Sequence, residues 1–409
     1  MSNTGKIRSV LFLSPESPYP LHGGGQYRTA SLIHYFAGFA NVDLILFSES
    51  GKPALLPKGL VHSQTVIPLP PHGKGTLERY ARNARRALLG VPPLIDRLGG
   101  LRSAIEDAIG AKHYDVGIVE HFWLAPYVLT MRQACTQTVL DLHNVESMLH
   151  QSCAEIDQGL VATGHRRFAR SSRRLETKYL PQFSAVLATS DADRAIAQQI
   201  APDARISVYP NSLPAVAAPP PDSDEPGTVI FSGNFEYHPN IDAVEFLVKE
   251  IWPLIRSQRP DLRLRLVGRG DKFIRHLIPP GSGVELSGEV EKAMPEIARG
   301  RVIVAPLRMG SGTRIKILEA WAANRPVVAT PLAAQGLRIE DGKNIVLAVT
   351  AHSFADQVLQ LVSNAPERDR LAARGRLTFE ENYTWDAAWV TLDRCLQVTR
   401  SEEVSRYTG

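Results

Sequence analysis

The chain has 409 residues, 44% apolar and 22% charged with no low-complexity tract, which is a globular composition long enough for two ordinary cores. A formal net charge of +4 is too small to imply nucleic-acid binding, and three scattered cysteines (Cys135, Cys153, Cys395) exclude a disulfide framework and fit a reducing compartment. Met1 to Arg8 is polar with no signal-type apolar region behind it, and no apolar stretch approaches the roughly 20 residues of a spanning helix, so a cytoplasmic protein is expected.

Short apolar runs rich in β-branched residues alternate with helix-length segments. Val10–Leu13, Val42–Phe47, Val116–Val119, Thr138–Leu142 and Val186–Ala188 are continuous rather than alternating, which predicts buried parallel strands. A helical pattern runs over Gln26–Phe36, and the alternation as a whole implies a doubly wound α/β sheet. The first strand leads through a proline-rich loop to Gly23, Gly24 and Gly25 at a helix start. Glycines there suit backbone contact with a phosphate or sugar, although a plain loop gives the same letters. The string is not G-x-G-x-x-G, and no acid stands at dinucleotide spacing.

Polar residues collect at two further strand ends: Glu120 and His121, then Asp141, His143, Asn144 and Glu146. Strand ends are where sites form in this architecture, whereas a single histidine there is usually structural. Asp191-Ala192-Asp193 resembles a metal-binding D-x-D, but Ser190 and Asp191 stand where a helix begins and read as N-capping. With no Cys/His cluster of zinc spacing either, no metal and no cofactor are expected. Two stretches are basic: Lys74–Arg102 has seven Lys/Arg against two acids, and Arg166–Lys178 has six against one. Arg166, Arg170, Arg173 and Arg174 form one helical stripe, either a solvated face or a dock for anionic lipid headgroups.

Pro210–Gly227 contains Pro214, Pro219, Pro220, Pro221 and Pro226, and reads as a linker. A second series then begins: Val229–Phe231, Leu262–Val267, Val284–Leu286, Val302–Ala305 and Val327–Ala329. After its first strand, Gly233 permits a tight turn and Asn234 follows, while Pro239 or Asn240 starts the next helix. The run Val302–Ala329 carries the strongest signal. A strand ends at Pro306, then Gly310, Ser311, Gly312 and Thr313 precede a helix that begins near Arg314. Its glycines admit a ligand, and its helix start is a seat for a diphosphate. Arg314 and Lys316 add charge, and Glu319, at i+3 from Lys316, can accept from a ribose diol and be held ionised by that lysine. A plain strand-turn-helix with a surface ion pair is the alternative.

FSGNFEYHPNIDAVEFL, LRLRLVGRG, LSGEV, APLRMGSGTRIKILEAWAANRPVVATPLAAQGL and YTWDAAW closely resemble the retaining GT-B glycosyltransferases called group 1 or family 4. In the first half, SPESPYPLHGGGQYRT and DLHNVES resemble the branch found in exopolysaccharide clusters. The resemblance implies two doubly wound Rossmann-like domains facing across a cleft. They would be an acceptor-side domain over 1–210, a linker over 211–227, a nucleotide-sugar domain over 228–383, and a helix over 384–400 crossing back. It implies that Arg314 and Lys316 hold the donor diphosphate, Glu319 the ribose, and backbone near Val290 the base. His121 or His143 orients an acceptor or sugar hydroxyl, with Glu120, Asp141, Asn144 and Glu146 on the acceptor side. The family's Glu-x7-Glu pair is incomplete, because Ser311 stands where the first glutamate belongs. The expected activity is transfer from a nucleotide-diphosphate sugar to a saccharide or lipid-linked acceptor, without metal. The alternatives are a nucleotide-sugar epimerase, or a non-catalytic nucleotide-sugar-binding partner of another transferase.

Overall fold

The computed structural model describes residues 7–70, 75–220, 223–290, 293–310 and 315–396. Of these, 7–21, 25–210 and 389–396 form one compact unit, and 22–24 and 211–388 form the other.

The first unit is built on a parallel sheet of β1 (Ser9–Ser14), β2 (Asn41–Ser48), β3 (Ser63–Pro68), β4 (Tyr114–Glu120), β5 (Cys135–Leu142), β6 (Ala185–Ala188) and β7 (Ile206–Val208). Their order is β3-β2-β1-β4-β5-β6-β7. The five apolar runs read from the sequence are the interior strands. Val10, Leu11, Phe12 and Leu13 are covered on both faces, as continuous runs in parallel sheets must be. The two strands that no apolar run announces, β3 and β7, are the sheet edges. Their residues are mostly half-buried, so their hydrophobicity is diluted.

The second unit repeats the plan with β8 (Thr228–Ser232), β9 (Arg263–Val267), β10 (Val284–Gly288), β11 (Val302–Ala305), β12 (Val327–Ala329) and β13 (Val346–Leu347). The order β10-β9-β8-β11-β12-β13 is again wholly parallel. Leu213 exchanges backbone bonds with the start of the last helix: its N–H donates to the Tyr383 carbonyl at 2.9 Å, and Trp385 N–H donates to its own carbonyl at 2.9 Å. Residues 221–222 of the proline-rich segment lie outside the described residues. The helix Trp385–Leu396 joins the first unit from Trp389 onward, where Tyr35 Oη donates to Asp393 Oδ1 at 2.8 Å and Trp389 Nε1 to the Ser31 carbonyl at 3.2 Å.

Candidate functional site

Parallel pairing of β4 with β5 sets Glu120 directly beside Asp141 at the carboxyl ends of both strands, and both side chains are fully buried. Two adjacent carboxylates in an apolar interior repel and are costly to desolvate, so the fold must compensate them. It does so with Arg28 from the helix Gly24–Ala37, whose Nε donates to both Asp141 oxygens at 2.9 and 2.8 Å and whose Nη2 donates to Oδ1 at 2.5 Å. Arg28 also donates to the Tyr209 carbonyl at 2.6 Å and stacks over the Tyr209 ring. The second compensation is His143, whose Nε2 lies 2.8 Å from Glu120 Oε2 and 3.1 Å from Asp141 Oδ2.

These contacts fix the charges. Burial alone would push His143 down, but the bonds and charges of Asp141 and Glu120 outweigh it and raise the imidazole to about 9, so it is cationic at neutral pH. Burial works against the Asp141 anion too, yet Arg28 and His143 hold it well below the usual carboxylate range. Glu120 moves the other way, raised by burial and by the Asp141 charge. One atom each from Glu120, Asp141 and His143 lie within 4.8 Å of one another, as an ion's ligands would. An ion there would face the Arg28 guanidinium, and the acids already have their countercharges.

His121 follows β4 at φ 64°, the left-handed region that a non-glycine residue rarely adopts. Its ring stacks on His143 (centroids 3.5 Å apart, 23° between planes) and on Trp123 (4.2 Å, 9°). Burial and the neighbouring His143 cation hold it neutral, well below its ordinary pKa. Its Nδ1 is buried with no hydrogen-bond partner among the described residues, and so is Glu120 Oε1. A Cβ on Gly25 would stand 3.6 Å from His121 Nε2, 3.7 Å from His143 Nδ1 and 3.6 Å from a Glu16 oxygen. The imidazole edges and the Glu16 carboxylate therefore converge on the bare backbone of Gly25. Asn144 is half-buried in the turn after β5. Glu120 and Asp141, expected on the acceptor side, both take part in the ion-pair network. Glu146 points inward and accepts from Trp123 Nε1 at 3.0 Å.

In the second unit Lys316 and Glu319 stand on the helix Ile315–Ala322. Lys316 Nζ donates to Asn240 Oδ1 at 2.8 Å, lies 4.1 Å over the Phe231 ring, and sits 3.3 Å from where a Gly233 Cβ would be. Asn240 Nδ2 in turn donates to the Asn234 carbonyl at 2.8 Å. The ammonium is thus placed at the carboxyl end of β8. Gly268, at φ 143°, brings its backbone so near that a Cβ would meet the Gly233 carbonyl oxygen at 1.9 Å; only glycine fits. Burial raises Glu319 to about 7, and the opposing charge of Lys316 does not cancel this. Lys316 favours the ionised form, the direction expected of it, but burial is the larger effect. Among the described residues no hydrogen bond reaches the Glu319 carboxyl. Val290 is half-buried in the loop after β10, and Gly310 is buried at φ 113°. Ser311, Gly312, Thr313 and Arg314 lie outside the described residues. Gly24 opens the helix Gly24–Ala37.

The D-x-D resolves as the sequence suggests. Ser190 Oγ accepts from Asp193 N–H at 3.1 Å, Asp193 receives the Thr189 and Ser190 hydroxyls, and Asp191 points to solvent beside Arg194. Sequence reasoning passes over Arg28, Trp123 and Tyr209, and reads Asn240 only as a helix start. Only Arg28 leaves a trace there, as a charged residue inside an otherwise apolar helix.

Two all-parallel Rossmann-like domains with polar side chains gathered at strand ends define the fold of the GT-B glycosyltransferases. Solved structures share it: sucrose-phosphate synthase from Thermosynechococcus elongatus superposes with a TM-score of 0.75 at 16% identity, over 95% of this chain and 98% of that one. The Anabaena Alr3699/HepE protein, in complex with UDP and glucose, gives 0.65 at 14% identity over 96% and 100%. Residues 226–364, within the second unit, match the family described as glycosyl transferases group 1. A Klebsiella pneumoniae relative, described as an uncharacterized 44.6 kDa protein in the cps region, is 23% identical over 163 residues, 38% of this chain and 42% of that protein. The match thus spans less than half of this curated relative.

Proposed function

We propose that the protein transfers a sugar from a nucleoside-diphosphate sugar to a saccharide or lipid-linked acceptor, with retention and without a metal, in cell-surface polysaccharide or glycolipid synthesis. The observation that carries this is the ammonium of Lys316, fixed by Asn240 at the end of β8 on the same helix as the buried Glu319 carboxyl. A fixed cation beside a glycine loop is suited to the charge that develops on a leaving diphosphate. Glu319, short of hydrogen bonds among the described residues, is suited to receive a ribose diol that supplies two donors. In the first unit the His143 cation is committed to Glu120 and Asp141, which leaves His121 as the neutral imidazole to orient a hydroxyl. The Anabaena neighbour, solved with UDP and glucose, supports a UDP-type donor.

Thermal-shift screening against UDP, GDP and their sugars tests the donor class; a ligand at 100 times its dissociation constant adds about 2.7 kcal/mol of stability. Stabilisation by none of them sinks the reading. Activity that disappears in chelator and returns with manganese sinks its metal-free part.

Peripheral docking on anionic lipid is part of the proposal. Arg166, Arg170, Arg173 and Arg174 are exposed on the helix Gly159–Tyr179, which begins with Leu160 and Val161 at 91% and 57% exposure. Leu88 and Leu89 are exposed too, where Arg167 donates to the Leu88 carbonyl. Apolar tips among arginines suit a headgroup interface, and no described helix is long and apolar enough to cross a membrane. Flotation with phosphatidylglycerol vesicles is expected to fall when the four arginines become glutamate. Absence of flotation by the parent at low salt ends this part.

A further inference from the structure

His121 is held in a costly backbone conformation at φ 64°, and the structure shows what surrounds its ring. One face rests on His143. The other lies 4.2 Å from the Trp123 ring and within 9° of parallel to it. Trp123 belongs to the short helical turn Phe122–Tyr127, and its Nε1–H donates to Glu146 Oε1 at 3.0 Å. Glu146 is buried at the start of the helix Glu146–Ile156, near Glu176 of the helix Gly159–Tyr179. Glu176 is itself tied by the Ser147 N–H at 3.0 Å and the Ser147 hydroxyl at 2.6 Å. A buried acid next to another acid is expensive unless it is used. The Glu146 side chain accepts from the indole, and the indole plane is what flanks His121.

We propose that Trp123 and Glu146 form a positioning device: the Glu146 carboxyl clamps the indole, and the indole plane fixes the His121 ring so that its Nε2 is presented toward Gly25. The proposal rests on reading His121 as a site residue, and it reassigns Glu146 from an acceptor contact to a positioning residue. Without the indole, the histidine ring is free to rotate about its side-chain bonds, and its Nε2 leaves the Gly25 backbone. A carboxyl oxygen accepts from the indole whether or not the acid is protonated. Glu146→Gln therefore keeps the clamp, because the amide oxygen accepts in the same place.

The test uses the full chain labelled in its histidine rings, with His121 signals assigned by their loss in His121→Gln. In the parent the His121 ring protons are expected upfield, stacked against the indole. Trp123→Leu and Glu146→Ala are expected to lose that shift, and Glu146→Gln to restore what Glu146→Ala loses, with all variants folded by circular dichroism. His121 signals unmoved in folded Trp123→Leu overturn the proposal.

A second arm measures nucleotide release from whichever of UDP-glucose, UDP-galactose and GDP-mannose the parent turns over fastest. Trp123→Leu is expected to lower turnover about 10- to 100-fold through misplacement of the histidine, and to add little further loss in the His121→Gln background. Full additivity of the two losses overturns the proposal. Parental turnover in His121→Gln overturns instead the reading of His121, and leaves the ring-shift result to decide the clamp. If Trp123→Leu does not fold, Glu146→Ala against Glu146→Gln carries both readouts.

Discussion

At the strand ends of the first unit, Glu120 and Asp141 are buried side by side and met by Arg28 and His143, so two acids face two cations. The second unit buries Glu319 on a helix where, among the described residues, the neighbouring Lys316 ammonium bonds to Asn240 and lies over the Phe231 ring. The difference teaches what each charge is for. In the first network Asp141 is held far below and His143 above their ordinary values while Glu120 is raised, and the group serves as a rigid support. Glu319, which no hydrogen bond reaches among the described residues, is raised by burial to about 7 and leaves bonding capacity for something that arrives.

Breaking the support should have the largest effect. Asp141→Ala strips the countercharge from a buried guanidinium, and is expected to cost about 3–5 kcal/mol of stability by denaturant unfolding. Replacing Arg28 and Asp141 together by apolar residues of similar size should recover part of that loss. A cost near zero for Asp141→Ala would show that the network is not what holds this end of the sheet.

The donor side should respond in activity rather than in folding. Lys316→Ala is expected to lose about 2–4 kcal/mol of transition-state stabilisation, mostly as turnover, and Arg314→Ala a similar amount. Glu319→Ala is expected to weaken donor and free nucleoside diphosphate alike, because a ribose is unchanged along the reaction. Steady-state kinetics with nucleotide titration separates the two patterns. Near-parental turnover and affinity in all three would place the site elsewhere.

Glu319 also gives the contrast a pH signature. Its folded value, about 7, lies above its ordinary 4.5, so the folded state binds this proton more tightly than the unfolded chain does. The burial penalty is therefore present above pH 7 and is relieved as pH falls toward 4.5. Glu319→Gln should stabilise the protein relative to the parent by about 1–3 kcal/mol at pH 8, and this gain should fade by pH 5. A pH-independent difference would mean that the carboxyl is ionised in the fold after all.

The smallest expected change lies away from both sites, at the first-unit helix start that resembles a metal motif. Ser190→Ala removes the cap on Asp193 N–H and should cost about 1 kcal/mol in thermal or denaturant unfolding, without altering turnover. Loss of activity there would revive Asp191 and Asp193 as functional groups.

How much was legible follows from these same residues. Continuous apolar runs mark the interior strands because parallel strands are buried on both faces, and the Ser190 cap is legible because capping is local. Glu120, Asp141 and His143 can be singled out from their places at strand ends, and Lys316 and Glu319 from their helix. Their partners cannot. Arg28 and Asp141 are 113 positions apart, and Lys316 and Asn240 are 76 apart. Glu120 stands beside Asp141 only because β4 and β5 pair in that register, and Trp123 meets His121 only because the chain turns left-handed after β4. By itself the sequence determined the elements, the order of the two α/β series and the candidate polar groups, since periodicity and capping act within a few residues. Tertiary structure alone decided which of those groups are spent on one another and which are left for a ligand, because strand order and register choose the neighbours that set desolvation and charge.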